Sequence, residues 1–532
     1  MLGACFTPGA QLTDATGDMS TAATTSTSPT TSTSPTTSTT TSPTTGSTGG
    51  STSGACGECP PTTPYCNNST GECLSCGQDP DPELFCGALD PSTPHCDKNT
   101  GTCVECNTPT DCSPQLCDPA DHTCVDCLEN TDCTTDVDLT ICNDGTCIEC
   151  LKDADCPADP KEFCDGGACH RCDTHADCPS SACEVDVGRC FPAATSQHWY
   201  IDDDMSVCEP GACTKRSPCC EINQAFAGIA DAAGAYHIVE VAPGTYTQKV
   251  ALTTTDKQVA VLGQVGVMLN VPAVDNEVII LLGDNTAPFV PLASKLYLSR
   301  LEIRGSGAVG ISCNDAVFLG VDEVTIRDLA SIDPLKGSSL FTSKCTMQAR
   351  RSQFLGNYGG LRAAAGTARL VNTIIAGTKK TPALQIDQDG ELNIIYSTIA
   401  LPDELAGGLL SCPVKNEKLP GTVTIRNSAL LAGSDTGQVS CTGNYIDASN
   451  TVTTDATIFT GLNNLMVSPT EAASQFLFKN WVKSDLHLVG DGGILKDIAR
   501  WKTGDPATDI DGLPRPVVDD SLDVAGADLP GP

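Results

Sequence analysis

The most regular pattern in the 532-residue chain lies in its second half, where short runs of alternating apolar and polar residues recur. KLYLSRLEIRG, DEVTIRD, RRSQFLGN, RLVNTIIAG, LNIIYSTIA and VTIRNSALLAG follow one another at intervals of roughly 20 to 30 residues. Most are rich in β-branched side chains and are followed by a polar or glycine corner, the pattern of a half-buried strand and its turn. Six related strands at this spacing predict a solenoid of three-sided coils; an antiparallel sandwich would lack the self-similarity. Upstream, Ile222, Ala225, Phe226, Ile229, Ala230 and Ala233 fall at helical spacing on one face, which predicts a short helix over the open apolar end of the solenoid. Val239 and Val241 alternate with Glu240 as a first strand, and Pro243-Gly244-Thr245-Tyr246 predicts the turn out of it.

The first half has no such periodicity. Residues from about Thr21 to Ser53 are almost wholly Thr, Ser, Pro and Gly, too poor in apolar surface to offset the entropy of ordering, and predict a disordered spacer. Its many hydroxyls also suit an O-glycosylated stalk.

Six small units follow, each with four cysteines, and the C-x-x-C pairs Cys103/Cys106, Cys124/Cys127, Cys147/Cys150 and Cys169/Cys172 each close one unit and open the next. Within a unit the third and fourth cysteines flank hairpin chemistry, as in CNDGTC and CDGGAC. Asp111, Asp132, Asp155 and Asp177 precede the second cysteine of their units and read as turn or capping carboxylates. Paired thiols two residues apart would also suit zinc. Units of about twenty residues with hardly any large apolar side chain cannot build a core, however, and an exported chain would staple them with disulfides. Four cysteines allow three pairings, and spacing does not choose among them.

The 33 cysteines divide into one, twenty-four and eight: Cys5, the block from Cys56 to Cys190, and eight from Cys208 to Cys441. The even groups fit complete pairing, which leaves Cys5 for other chemistry. Coils stack at about 4.8 Å and bridged Cα atoms lie roughly 4.4–6.8 Å apart, so cysteines one coil apart can pair. This predicts Cys313 with Cys345 and Cys412 with Cys441, while Cys208, Cys213, Cys219 and Cys220 pair among themselves near the cap.

Asp and Glu number 66 against 30 Lys and Arg, a formal charge of −36, which argues against nucleic acid or electrostatic attraction to anionic lipid and suits solubility and calcium. No other cofactor is expected. No run of 18 apolar residues exists, so no transmembrane helix is expected. Arg304 and Arg327 occupy like positions after their strand isoleucines, with Arg350, Arg351 and Arg362 following. One coil apart they could form a cationic strip for an anionic glycan; alternatively they are solvated strand arginines paired with Asp328 or Glu302.

Three resemblances add to this reading. Leu2-Gly3-Ala4-Cys5 resembles the lipobox of bacterial lipoproteins, which implies a diacylated Cys5, with the export signal expected upstream of Met1. The cysteine units resemble short repeats of exported proteins from predatory soil bacteria and, distantly, cysteine-rich modules of animal secreted signalling proteins. The start of the large domain, and above all Asp509-Ile510-Asp511-Gly512-Leu513-Pro514-Arg515-Pro516 followed by Asp523-Val524-Ala525-Gly526-Ala527-Asp528, is similar to extracellular right-handed parallel β-helix proteins of the pectin-lyase-like superfamily.

That likeness implies an all-β solenoid, and polysaccharide lyases, glycosidases or esterases among its relatives. The paired aspartates with a nearby histidine that its hydrolases use have no counterpart, since only His237 and His487 lie in the coil region. Esterase motifs are missing beyond Gly244-Thr245-Tyr246 and a lone Gln388-Asp389. The expected organisation is residues 1–54 as lipobox and spacer, 55–193 as cysteine repeats, and 194–532 as β-helix. The expected protein is a monomeric, lipid-anchored outer-membrane lipoprotein on a bacterial surface, binding a polysaccharide or surface protein and not an enzyme; a polysaccharide lyase is the alternative.

Overall fold

A computed structural model describes residues 59–531, apart from 61–62, 68–70, 134–138, 157–162, 166, 205, 207, 210–212, 254–255, 272–277, 283–291, 306–308, 330–337, 388, 403–407, 414–420, 434–437, 442–445, 459–460 and 474–476. The expectations for Cys5 and for the spacer lie outside the described residues. By its contacts the chain divides at Asn107/Thr108, so the last four cysteine units group with the large domain and the first two stand apart.

The large domain is a right-handed parallel β-helix of three sheets with ten, ten and eight strands. The first sheet runs from Gln197–Ile201 to Ile446–Ser449, the second from Gly244–Tyr246 to Leu465–Met466, and the third from Val250–Leu252 to Val439–Ser440. The chain visits the three sheets in turn, and matched positions of successive coils lie in register. Inside, this stacks like on like. Leu296, Leu319, Met347, Ala368, Leu392 and Val423 form one column. Ile303, Ile326, Phe354, Ile375 and Ile399 form a second, and Ile311, Leu340, Leu361 and Leu384 a third. All of these side chains are buried in one continuous core.

Between the first and second sheets seven successive coils turn through one non-glycine residue in left-handed backbone: Arg300, Glu323, Arg351, Asn372, Tyr396, Asn427 and Asn450. Such a residue reverses the chain in minimal length, and Asn accepts the conformation most readily among non-glycine types.

The cap helix spans Ile222–Asp231 and buries Ile222, Ala225, Phe226 and Ile229. Ala230 and Ala233, expected on the same face, are exposed: Ala230 is in the last turn beside the buried Ile229, and Ala233 lies beyond the helix end. Two strand expectations also shift. The strand containing Val239 is the second of its sheet, paired with Gln197–Ile201, and Gly244–Tyr246 is itself a strand opening the second sheet. Tyr246 is buried there and donates its hydroxyl to the Ala242 carbonyl, so the segment turns and then pairs.

In the cysteine units the bridges join first to third and second to fourth cysteine, as in Cys127–Cys142 with Cys133–Cys147, Cys150–Cys164 with Cys156–Cys169, and Cys172–Cys183 with Cys178–Cys190. Sulfur triplets such as Cys127, Cys133 and Cys147 lie within 4.8 Å of one another because these bridges interlock. Asp132, Asp155 and Asp177 each accept two backbone N–H groups from the residues three and four before them, and Asp111 accepts the N–H of Thr108, three before it. Successive units are tied through the turn glycine, since the Gly145 carbonyl accepts from Asp126 N–H and the Gly167 carbonyl from Glu149 N–H. Both glycines have positive φ, and a Cβ there would strike Val125 or Ile148 of the preceding unit.

Candidate functional site

The outer faces of the three sheets determine where a ligand can be met. On the first sheet the early coils carry Ile238, Ala260, Tyr297 and Phe318 outward, and the sixth cysteine unit lies on them with Ala182 and Phe191. Gly320 allows the approach, because a Cβ there would sit 3.0 Å from Tyr297 and 3.1 Å from Val185. The unit is fixed by polar contacts. Lys295 Nζ donates to Asp186 (2.7 Å) and Glu184 (3.3 Å), and the Tyr297 hydroxyl donates to Asp186 at 2.7 Å. Arg350 donates to the Asp173 carbonyl and also faces Asp322.

On the second sheet the late coils carry Ile374, Ala376, Ala400, Ala429, Leu431 and Val452 outward, and the segment from Val467 to Leu529 covers them. Here the C-terminal signature has a structural role. Asp509 is buried and accepts N–H groups from Asp511, Leu513 and Leu529, closing the turn. Arg515 is buried over the Tyr396 ring (4.1 Å), pairs with Asp523 at 3.0 Å and donates to the Gly526 carbonyl. Asn372 and Asn427, at left-handed corners, donate to the carbonyls of Thr508 and Arg500.

The third sheet carries a mostly polar row. Ser312, Phe341, Arg362, Gln385, Ser411 and Ser440 occupy one outward position on six successive coils. Arg362 lies 5.6 Å from the Phe341 ring centroid. Its guanidinium donates to Asp387 Oδ2 at 2.6 and 2.8 Å, and Gln385 Nε2 donates to Asp387 Oδ1 at 2.8 Å. Ser440 and Ser411 hydroxyls are 3.0 Å apart. Beside the row, Lys380 Nζ lies 5.3 Å from the Tyr358 ring centroid. An aromatic face, a planar cation, an amide and hydroxyls at one-coil spacing can stack on and hydrogen-bond an extended polar polymer.

The five arginines singled out from the sequence do not form one strip. Arg304 and Arg327 stack one coil apart on the second sheet, and both engage Glu302, Arg327 at 2.6 Å. Arg350 is on the first sheet. Arg351 occupies a corner, bound to Asp322 at 2.5 Å and Glu323 at 3.3 Å. Only Arg362 lies on the third-sheet row. The period of 20 to 30 residues was too coarse to assign a face, since a shift of a few residues in loop length moves a side chain to another sheet. Two carboxylates do meet two arginines at Asp322, Glu323, Arg350 and Arg351, but Asp322 is buried there and the cysteine unit lies against the cluster. Sequence reading passed over Arg369 and Arg426, which the strand motifs RLVNTIIAG and VTIRNSALLAG contain; Arg426 forms a bidentate pair with Asp505 of the tail.

The cysteines of the β-helix are bridged Cys313–Cys345 and Cys412–Cys441 between neighbouring coils, with Cα separations of 6.0 and 4.8 Å. Near the cap Cys208 joins Cys220, and Cys213 joins Cys219. So many bridges place folding in an oxidising, extracytoplasmic compartment. Among the described residues no helix is long and apolar enough to cross a membrane.

No family model matches the chain, and no curated protein matches it. Among solved structures it aligns with the deglycosylated pectin methylesterase of Aspergillus niger at 12% identity, covering 52% of this chain and 87% of that one, with a TM-score of 0.24. A superposition that loose says nothing about chemistry.

Proposed function

We propose that this is an exported surface protein, anchored through lipid on Cys5 and held away from the membrane by its spacer and cysteine units, that binds an extended polysaccharide on the third sheet. The polar row from Phe341 to Ser440 carries the reading: it runs along the solenoid axis, so each coil offers one contact to a repeating polymer. A binding role is preferred to catalysis because both oxygens of Asp387, the carboxylate that Arg362 contacts among the described residues, are engaged by Arg362 and Gln385. The protein acts as a monomer on the outer membrane of a bacterium.

The test is a glycan array probed with the full-length chain and with Phe341→Ala/Arg362→Ala. The wild type should retain a polysaccharide that the double variant binds at least tenfold more weakly, without generating unsaturated uronate. Equal binding by both proteins, or no glycan bound, rejects the reading. Ultraviolet-absorbing unsaturated product would favour the lyase alternative.

A further inference from the structure

Between the two covering segments the first sheet leaves a short stretch of outer face open. Gln348, Arg369, Asn393 and Thr424 occupy one outward position on four successive coils. The sixth cysteine unit ends the stretch on one side, where Asp173 meets Arg350, and the tail ends it on the other, where Asp505 meets Arg426.

Arg369 differs from every other arginine on the coil strands. Arg304 and Arg327 share Glu302, Arg350 faces Asp173 and Asp322, Arg362 holds Asp387, and Arg426 holds Asp505. Arg369 makes no hydrogen bond or ion pair with any described residue, although its side chain is only partly exposed. Ordering and partly desolvating a guanidinium without an anion is unfavourable, and in a chain carrying −36 charges a carboxylate would be the commonest neighbour. Glu391, one coil away, is directed instead to Thr367 and Asn393. Burial first, then Arg350 and Arg426, oppose protonation of Arg369; Asp505, which is bound to Arg426, favours it from outside contact distance.

We infer that Arg369, flanked by the amides of Gln348 and Asn393, is an oxyanion subsite that takes a carboxylate or sulfate ester of an acidic polysaccharide, independent of the third-sheet row. The planar fork of Arg369 fits two oxygens of either group; one coil away on one side the Gln348 amide supplies a further donor, and on the other Asn393, whose Nδ2 gives one N–H to Glu391, supplies its second. Its position between two docked segments selects a group projecting from a chain over a broad surface.

The experiment measures binding of polygalacturonate, dextran sulfate and neutral dextran to the full-length protein by calorimetry, with Arg369→Gln and Gln348→Glu as variants and Arg362→Gln as a control for the other face. The wild type should bind one of the anionic polymers and not neutral dextran; the polymer bound identifies carboxylate or sulfate. Both Arg369→Gln, which removes the charge, and Gln348→Glu, which supplies the missing carboxylate one coil away, should weaken binding at least tenfold while melting like the wild type. Should Arg369→Gln fail to fold, Gln348→Glu decides alone. Unchanged binding in the decisive variant, or no anionic polymer bound by the wild type, overturns the subsite. Loss in Arg362→Gln alone overturns it while leaving the third-sheet reading intact.

Discussion

At the scale of single residues, the side chains that hold covering segments to the coils are the buried polar ones. His175 of the sixth unit is buried, accepts the Cys183 N–H through Nδ1 and faces the Tyr297 ring. Burial holds its pKa down at about 4; Asp322 opposes that, and Arg350, Arg300 and Arg351 add to it. Because the folded value lies below the unfolded one near 6.5, the stabilisation is complete above about pH 6.5 and is lost as pH falls toward 4. The loss is on the order of 3 kcal/mol. Thermal melts between pH 7 and 4 should therefore fall more steeply for the wild type than for His175→Asn; parallel curves would show that protonation of His175 is not linked to folding. Asp528 works in the opposite direction. Burial lifts it to about 6, despite the Leu488 N–H it accepts, so the tail gains stability as pH falls below that value.

At the scale of elements, the coil repeat and its stapling were readable and the faces were not. Alternation in KLYLSRLEIRG or RLVNTIIAG identifies strands, and a spacing of 32 residues puts Cys313 beside Cys345 once each coil is taken to return over the last. The same spacing cannot say that Arg304 and Arg362 point from different sheets, because loops of unequal length separate their strands. Nor could it choose the first-to-third pairing in the cysteine units, where three connectivities fit the same spacing. The inter-coil bridge is testable at this scale. Closing a loop of about thirty residues should contribute about 3–4 kcal/mol by restricting the unfolded chain. Cys313→Ala/Cys345→Ala should lose that amount in denaturant titration with an unchanged far-ultraviolet spectrum. A loss below about 1 kcal/mol would mean that core packing alone fixes the register there.

At the scale of the whole molecule, the β-helix is wrapped at two places by chain from outside the coils, and this was the least legible part. The contact of Asp186 with Lys295 spans 109 residues and that of Arg426 with Asp505 spans 79. The C-terminal signature announced a family likeness without announcing its role, which lies in Asp509 closing a turn and Arg515 joining the tail to Tyr396. Arg515→Ala leaves the Asp523 carboxylate buried without its partner and should cost about 3–5 kcal/mol. Protease should then cut the Val467–Leu529 segment before the coils, and Arg515→Met/Asp523→Leu should recover much of the resistance. Cleavage starting within the coils would show that the tail is a passenger.

The interlocked bridges of the cysteine units have a mechanical consequence. Pulled from both ends, the unit from Cys127 to Cys147 transmits tension through sulfur: from Cys127 directly to Cys142, then along five residues, or along six residues to Cys133 and directly to Cys147. At roughly 3.3–3.6 Å per residue, only a short hidden length can be released before covalent bonds carry the load. Such a unit behaves under force less like a folded domain than like a link of chain, giving little and returning to the same length, until a reductant opens it.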